Sequence, residues 1–462
     1  MTGHSEAFRR PTLFDSQWPF VIGGIFAAVL VTGVIVKSLP LGVGATLLLV
    51  YTPLLLLNLP AGVAAWIPFT FLERMPVFSV APTLAGILVA VAWIGALPIT
   101  RRRIVRFANH HGTMLAMLFL YCSWVTASLA WAQDTGKAAS DLWTWWVAGA
   151  VFIVLATSIT TRRALSYACL AFVVGAVLSV LAGAIPNAAP RGAGISADEA
   201  ARLAGSFGDP NLLGASLGPA IAIAIGLMAV WRGVAARVLL TSAVAILFVG
   251  LVLSGSRGAL AASAFMAVVA VITAPKRRFQ SGLVVAGTFA AILIAESVSS
   301  STALTRIRSF DTGNGRIDLW TVGWRMARGH LLEGVGDNNF ITSSPQYLTS
   351  AGAIQDPGFI LTSPHAVHNT YLQMFAETGI IGLGFFGAFL LAVVGVTWQT
   401  SRWFAVNREP ALASLTRAVF IAQIGFLVAL VFLTDGNDNR LWVLLGLGVA
   451  CAGLAKRLVP RS

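Results

Sequence analysis

Charge is what this chain lacks. Only 11% of its 462 residues are Asp, Glu, Lys or Arg, while 57% are hydrophobic and the mean hydropathy is +0.81. A soluble domain carries about 25% charged and about 45–50% apolar residues. These numbers exclude a soluble globular enzyme and equally a disordered or fibrous chain. The class that remains is all-α, a polytopic bundle of membrane helices. Cysteine is scarce as well. Cys122, Cys169 and Cys451 stand far apart in apolar runs, without metal-ligand spacing, and read as small buried hydrophobes. Familiar catalytic signatures are missing too: no Walker loop and no HExxH. Asp435 and Asp438, three apart, are the nearest approach to a DxD-type pair in an outer loop. ATP-driven work and metal-dependent use of a nucleotide sugar are therefore not suggested.

What is present is a series of long apolar runs. A helical span needs about 20 mostly apolar residues. Such runs cover 19–36, 79–98, 112–131, 142–160, 164–185, 211–231, 237–254, 258–274, 281–298, 371–398 and 412–434, with a shorter one at 440–455. The stretch 41–72 is split by Asn58 and Pro60 into one good span and a short piece. The expectation is about 12 crossings, or 14 if 41–72 crosses twice. The apolar run after the polar, basic first residues has no small-residue cleavage site, so it reads as a span and not a removed leader.

Lys plus Arg number 31 against 18 acids, a net +13. In a soluble protein this would point to nucleic acid; here it reads as cytoplasmic loops, and no nucleic-acid partner is expected. Basic clusters at Arg9–Arg10, Arg101–Arg103 with Arg106, Arg162–Arg163, Arg232 with Arg237, Lys276–Arg278, Arg402–Arg417 and Lys456–Arg461 fit one cytoplasmic face with both termini inside. Twelve others fall outside that pattern: Lys37, Arg74, Lys137, Arg191, Arg202, Arg257, Arg306, Arg308, Arg316, Arg325, Arg328 and Arg440. Arginine's planar fork suits phosphate, so an anionic ligand on the outer face is one reading. Pairing with nearby acids or lipid headgroups is the other.

Residues 299–370 form the one long segment that is too polar to span. Within it Ile317, Trp320, Trp324, Ala327 and Leu331 recur at helical spacing and predict an amphipathic helix, lying at the membrane interface or packed on the spans. Four outer clusters carry candidate chemistry. The first, 191–214, holds Arg191, Arg202 and a GDPN turn containing Asn211. The second, SGSRGAL, places Arg257 among small residues between two spans. The third runs from Asn314 to Phe340. It puts Arg316 in a first helical turn, where a cation is favoured only if an anion binds, and adds Arg325, Arg328 and Asn338. The fourth, SPHAVHNTYLQMFAETGIIG, reads as a helix started by Ser363-Pro364, with His365 and His368 on one face and Asn369 beside them. Histidine titrates near neutrality and can act as a general base; no third metal ligand is visible. Glu377, nine residues past His368, reads as a packing residue.

SGSRG after a span, NGR…W…GVGDNNF in the outer loop, and HNTYLQMFAETGIIG at the next span match in order and spacing. Together they resemble the membrane-embedded O-antigen ligase and polymerase superfamily, a GT-C-like group of bacterial envelope biogenesis. RLAGSFGDPN resembles its preceding loop. The likeness covers about residues 190–400 and divides the chain into N-terminal helices (1–190), a catalytic region (191–400) and C-terminal helices (401–462).

The resemblance implies an inner-membrane enzyme with a periplasmic site. It would move a glycan from undecaprenyl diphosphate to lipid A-core, inverting the anomeric centre, without metal, cofactor or ATP. Membrane lipids would be its surroundings. By position, Arg257 and Arg316 would grip the diphosphate and His368 would be the base, with His365 as its alternate. Arg191 and Arg202 would support them, and Asn211, Asn338, Asn369, Arg325 and Arg328 would complete the binding residues. A polymerase is the nearest alternative. Next come a protein O-oligosaccharyltransferase, made less expected by the chain's end just after its last span, and a lipid-linked glycan transporter. The nearly charge-free spans argue against the transporter.

Overall fold

The computed structural model describes residues 32, 38–78, 81–185, 202–273, 316–348, 354 and 366–458. Among these there is no strand. In hydrocarbon no water is available for backbone groups, so a helix, which satisfies them internally, is the form an open segment takes. The helices are α1 (Leu39–Leu57), α2 (Leu59–Trp66), α3 (Phe69–Leu72), α4 (Ala81–Gly95), α5 (Leu97–His110), α6 (Gly112–Ala127), α7 (Thr135–Ser158), α8 (Arg162–Ala182), α9 (Pro210–Val230), α10 (Val234–Leu253), α11 (Arg257–Thr273), α12 (Arg316–Gly329), α13 (Phe340–Ser343), α14 (Thr370–Val406), α15 (Pro410–Ala429) and α16 (Asn439–Leu458).

Among the described residues, eight helices are long and apolar enough to cross a membrane: α6 and α15 with their terminal turns, α7, α8, α9, α10, α14 and α16. The expected spans 19–36, apart from residue 32, and 281–298 lie outside the described residues, so the expectation of 12 is met only in part. Two departures have local causes. The run 79–98 is not one straight span: α4 and α5 meet at 88°, where Pro98 opens the second helix. The arginines that follow make α5 polar on one side, so it cannot continue through hydrocarbon. The 41–72 run divides at Asn58, whose side chain accepts a hydrogen bond from Ala61 N at 3.2 Å and caps α2.

The core lies around α16, which is buried along nearly its whole length between α7, α14 and α15. Trp442 stacks on Phe389 at 5.4 Å and meets Trp145 edge-on at 6.5 Å. Among the described helices, α9 and α15 share the most extensive packing. A Cβ on Gly226 would lie 2.4 Å from Ala418 Cβ, so glycine is what lets the two backbones approach. All three cysteines are buried, as expected.

The basic clusters at Arg101–Arg106, Arg162, Arg417 and Lys456–Arg457 gather at one end of the bundle. Arg162 pairs there with Glu409, Arg417 Nη1 donates to Thr273 O at 3.1 Å, and Arg457 Nη1 donates to Thr160 O at 3.4 Å. The polar loops described next gather at the other end.

Candidate functional site

Segment 202–209 is tied to the turn between α10 and α11. Arg202 is 3% exposed; its Nε donates to Ser254 O at 2.7 Å and its Nη2 to Asn211 Oδ1 at 2.8 Å. Leu203 N adds a bond to Leu253 O at 3.0 Å. The predicted GDPN turn is present: Asp209 caps α9 by accepting from Asn211 N at 2.7 Å, and Pro210 opens the helix. Arg202 and Asn211, both expected to touch substrate, thus hold SGSRG in place. Arg257 begins α11 on that platform. The next residue, Gly258, lies against Phe432; a Cβ there would be 2.7 Å from Phe432 Cβ.

The same stretch after α15 reaches the histidine motif. Thr370 Oγ1 donates to Leu433 O at 2.7 Å and accepts from Asp435 N at 3.2 Å. Segment 432–435 therefore joins the start of α11 to the start of α14. Just before α14, His368 is half-buried and takes φ 51. A left-handed conformation is uncommon outside glycine and often marks a functional position. Asn369 caps α14, accepting from Leu372 N at 3.1 Å. This corrects the helix expected from Ser363-Pro364: residues 366–369 are not helical, and the left-handed turn at His368 keeps the helix from starting before Thr370. Arg191 and His365 lie outside the described residues.

α12 packs on the first part of α14. Trp320 Nε1 donates to Val367 O at 3.0 Å, which ties the helix that Arg316 opens to the residue before His368. Arg316 is the first residue of α12, as expected, and Asp318 in the same turn is buried. The expected apolar stripe is only half correct. The face buried against α14 is Leu319, Val322, Met326 and Ala327, while Ile317, Trp324 and Leu331 are exposed. Two apolar faces thus serve two environments, the second suited to lipid. Arg325 donates from Nη1 to Tyr347 O at 2.9 Å, and Arg328 sits 5.3 Å from the Trp324 ring.

GVGDN ties the outer region to α14 and to the α6–α7 turn. Val335 N donates to Ala376 O at 3.0 Å, Gly336 N to Glu377 O at 2.9 Å and Ile380 N to Leu331 O at 2.9 Å. Glu377 is buried and its Oε1 accepts from Phe340 N at 2.9 Å, in line with its expected packing role. Gly379 breaks α14 at φ 67, ψ −172; a Cβ there would stand 2.0 Å from Leu332 O. The loop also docks on the α6–α7 turn. Asn339 Oδ1 accepts from Asp134 N at 2.7 Å, Asp337 N donates to Ser128 Oγ at 3.1 Å, and Asn338 Nδ2 donates to Lys137 O at 3.3 Å. Burial pushes the Asp337 carboxyl well up, and the neighbouring Glu377 and Asp141 push it further.

Sequence reasoning saw Asp435, Asp438, Arg74 and Arg440 but not their association. Arg440 is 1% exposed, grips Asp438 with Nε and Nη2, approaches Glu73 at 3.8 Å and lies 4.0 Å from the Phe207 ring. Arg74 Nη1 donates to Phe207 O at 3.4 Å. For Arg440, pairing with acids is thus the correct reading of an outer arginine. Burial pushes Asp435 up to about 8, with Asp438 and Asp209 adding to it and Arg74 and Arg440 opposing.

This architecture defines an all-α, multi-pass membrane protein. Its polar groups of interest converge at one end of the bundle. A family model described as O-antigen ligase matches residues 242–387, the segment from mid-α10 through the kinked start of α14, in line with the resemblance read from the sequence. No curated protein matches the chain.

Proposed function

We propose that the protein transfers O-antigen from undecaprenyl diphosphate to a sugar hydroxyl of lipid A-core, at the periplasmic end of the bundle. The observation that carries this reading is the joining of SGSRG and HNT through segment 432–435, by Phe432 on Gly258 and by Leu433 and Asp435 on Thr370. The basic residues gathered at the opposite end support a cytoplasmic assignment for that end.

In this reading the bond between the sugar's anomeric carbon and the diphosphate oxygen breaks. A new glycosidic bond forms to the acceptor oxygen, and His368 takes the acceptor's proton. A diphosphate leaves as the anion without protonation, so no general acid is needed. Arg257 and Arg316 stabilise the charge gathering on it; loss of one preorganised donor of this kind costs about 3–4 kcal/mol. A positioned base contributes about 10²–10⁴-fold. In-line attack inverts the anomeric centre.

The test is transfer by purified protein in detergent, with EDTA and no ATP, using undecaprenyl-diphosphate-linked O-antigen and rough lipopolysaccharide. Capped lipopolysaccharide that disappears with His368→Ala is the expected result. Lengthening of the donor glycan in place of capping would reassign the acceptor and make the protein a polymerase. No product of either kind would overturn the glycosyl-transfer reading.

A further inference from the structure

The end of the bundle opposite the candidate site holds a cavity of about 660 Å³. Arg440 and Lys456 lie on the same helix, α16, so the two ends are separated by about 25 Å along it. Arg103, Arg106, His110, His111, Lys456 and Arg457 line the cavity, and no acid is among its lining residues. The nearest carboxylate described at this end, Glu409, is already paired with Arg162. Four cations around one hollow repel each other, and a bound anion removes that repulsion. Burial and the adjacent Lys456 lower His111 to about 4, so it adds no charge of its own at neutral pH.

The surroundings say which anion. α5 turns from the apolar α4 at 88°, so it runs across the direction of α4 and not along it. Its outward apolar residues Ile99 and Val105 are exposed, whereas Phe107 faces the cavity. Ile159 and Ala156 line the hollow as well and give it apolar surface beside the cations. An amphipathic helix beside a basic pocket with apolar lining is the arrangement that accepts a lipid headgroup with its chains alongside. A soluble phosphate would use the cations but gain nothing from the apolar surface.

We propose that this cavity binds the phosphate headgroup of an anionic membrane lipid, with Arg103, Arg106, Lys456 and Arg457 as its ligands. The site is separate from the one assigned to glycan transfer and does not depend on that assignment.

The test uses the full-length protein, delipidated in detergent, and measures retention of phosphatidylglycerol against phosphatidylcholine by native mass spectrometry. The expected preference is about tenfold or more. It should fall to near unity in Arg103→Ser/Arg106→Ser/Lys456→Ser/Arg457→Ser. It should persist in Arg101→Ser/Arg102→Ser, which removes charge from the same helix but outside the cavity lining. Should the fourfold variant fail to fold, Lys456→Gln alone should still weaken the preference several-fold. Equal loss in the Arg101→Ser/Arg102→Ser variant would reduce the effect to diffuse surface charge and overturn the proposal. A separate arm offers inorganic pyrophosphate. Saturable pyrophosphate binding without any preference between the two lipids would assign the cavity to a soluble anion and overturn the lipid.

Discussion

Replacing His368 by glycine separates a chemical role for the imidazole from a structural one. His368 stands at φ 51, in the left-handed region. An L-residue there pays about 1–2 kcal/mol that glycine does not. Glycine in turn loses roughly 0.5–1 kcal/mol more backbone freedom on folding. The backbone terms of His368→Gly therefore lie between no change and a gain of about 1.5 kcal/mol. The imidazole's own contacts set how much of that gain survives. Removing a general base should lower transfer about 10²–10⁴-fold. The assay pairs turnover on a lipid-linked glycan with thermal unfolding in detergent. His368→Ala should lose activity equally while unfolding at a lower temperature, because alanine keeps the left-handed penalty. A glycine variant that folds as the wild type and transfers at the wild-type rate would refute the reasoning, and one that fails to fold would make the imidazole a structural group.

Four further outcomes are expected. Arg257→Lys keeps the charge but loses the planar fork, so transfer should drop by at least about tenfold while stability holds; an unchanged rate would remove Arg257 from the diphosphate grip. Arg440→Met strands the buried Asp438 and should cost about 3–5 kcal/mol, whereas Arg440→Met/Asp438→Leu should recover much of it in the same unfolding measurement. Asp435 holds its proton in the folded protein up to about pH 8, while an unfolded aspartate releases it near 4. The folded state binds more protons between those limits, so this residue's contribution to stability falls as pH rises through that window. Asp435→Asn should flatten the decline, and an unaltered pH profile of unfolding would contradict the buried environment. Gly379→Ala combines a left-handed backbone with a Cβ 2.0 Å from Leu332 O and should destabilise by roughly 2–5 kcal/mol, read as early protease cleavage in the outer loop.

Much of the bundle was legible in the chain because hydrocarbon imposes one local rule. A run of apolar residues long enough to cross must be helical, whatever it packs against. The ends of α9 and α2 were legible too: an Asp-Pro or Asn-Leu-Pro step caps a helix through contacts within three residues. The bend at α4–α5 was less so, since an apolar window averages over the polar side that follows it.

At the candidate site the division is different. The sequence by itself determined which residue types are present and their order: an arginine between two spans, another opening an outer helix, a histidine before a third span. It also determined that these stand near helix ends, since helix ends are local. Only the tertiary structure decided which arginines are spent on the protein. Arg202 serves Ser254, 52 residues away, and Arg440 sits against Phe207 and Glu73. Likewise, Asn339 meets Asp134 across 205 positions, and Thr370 meets Leu433 across 63. Hydrophobic periodicity records how far each residue lies from water, but not which distant partner it meets. Pairings of that kind are set by the helix packing that α16 and α9 anchor, where glycine and aromatic volumes, not polar motifs, fix how close the spans come.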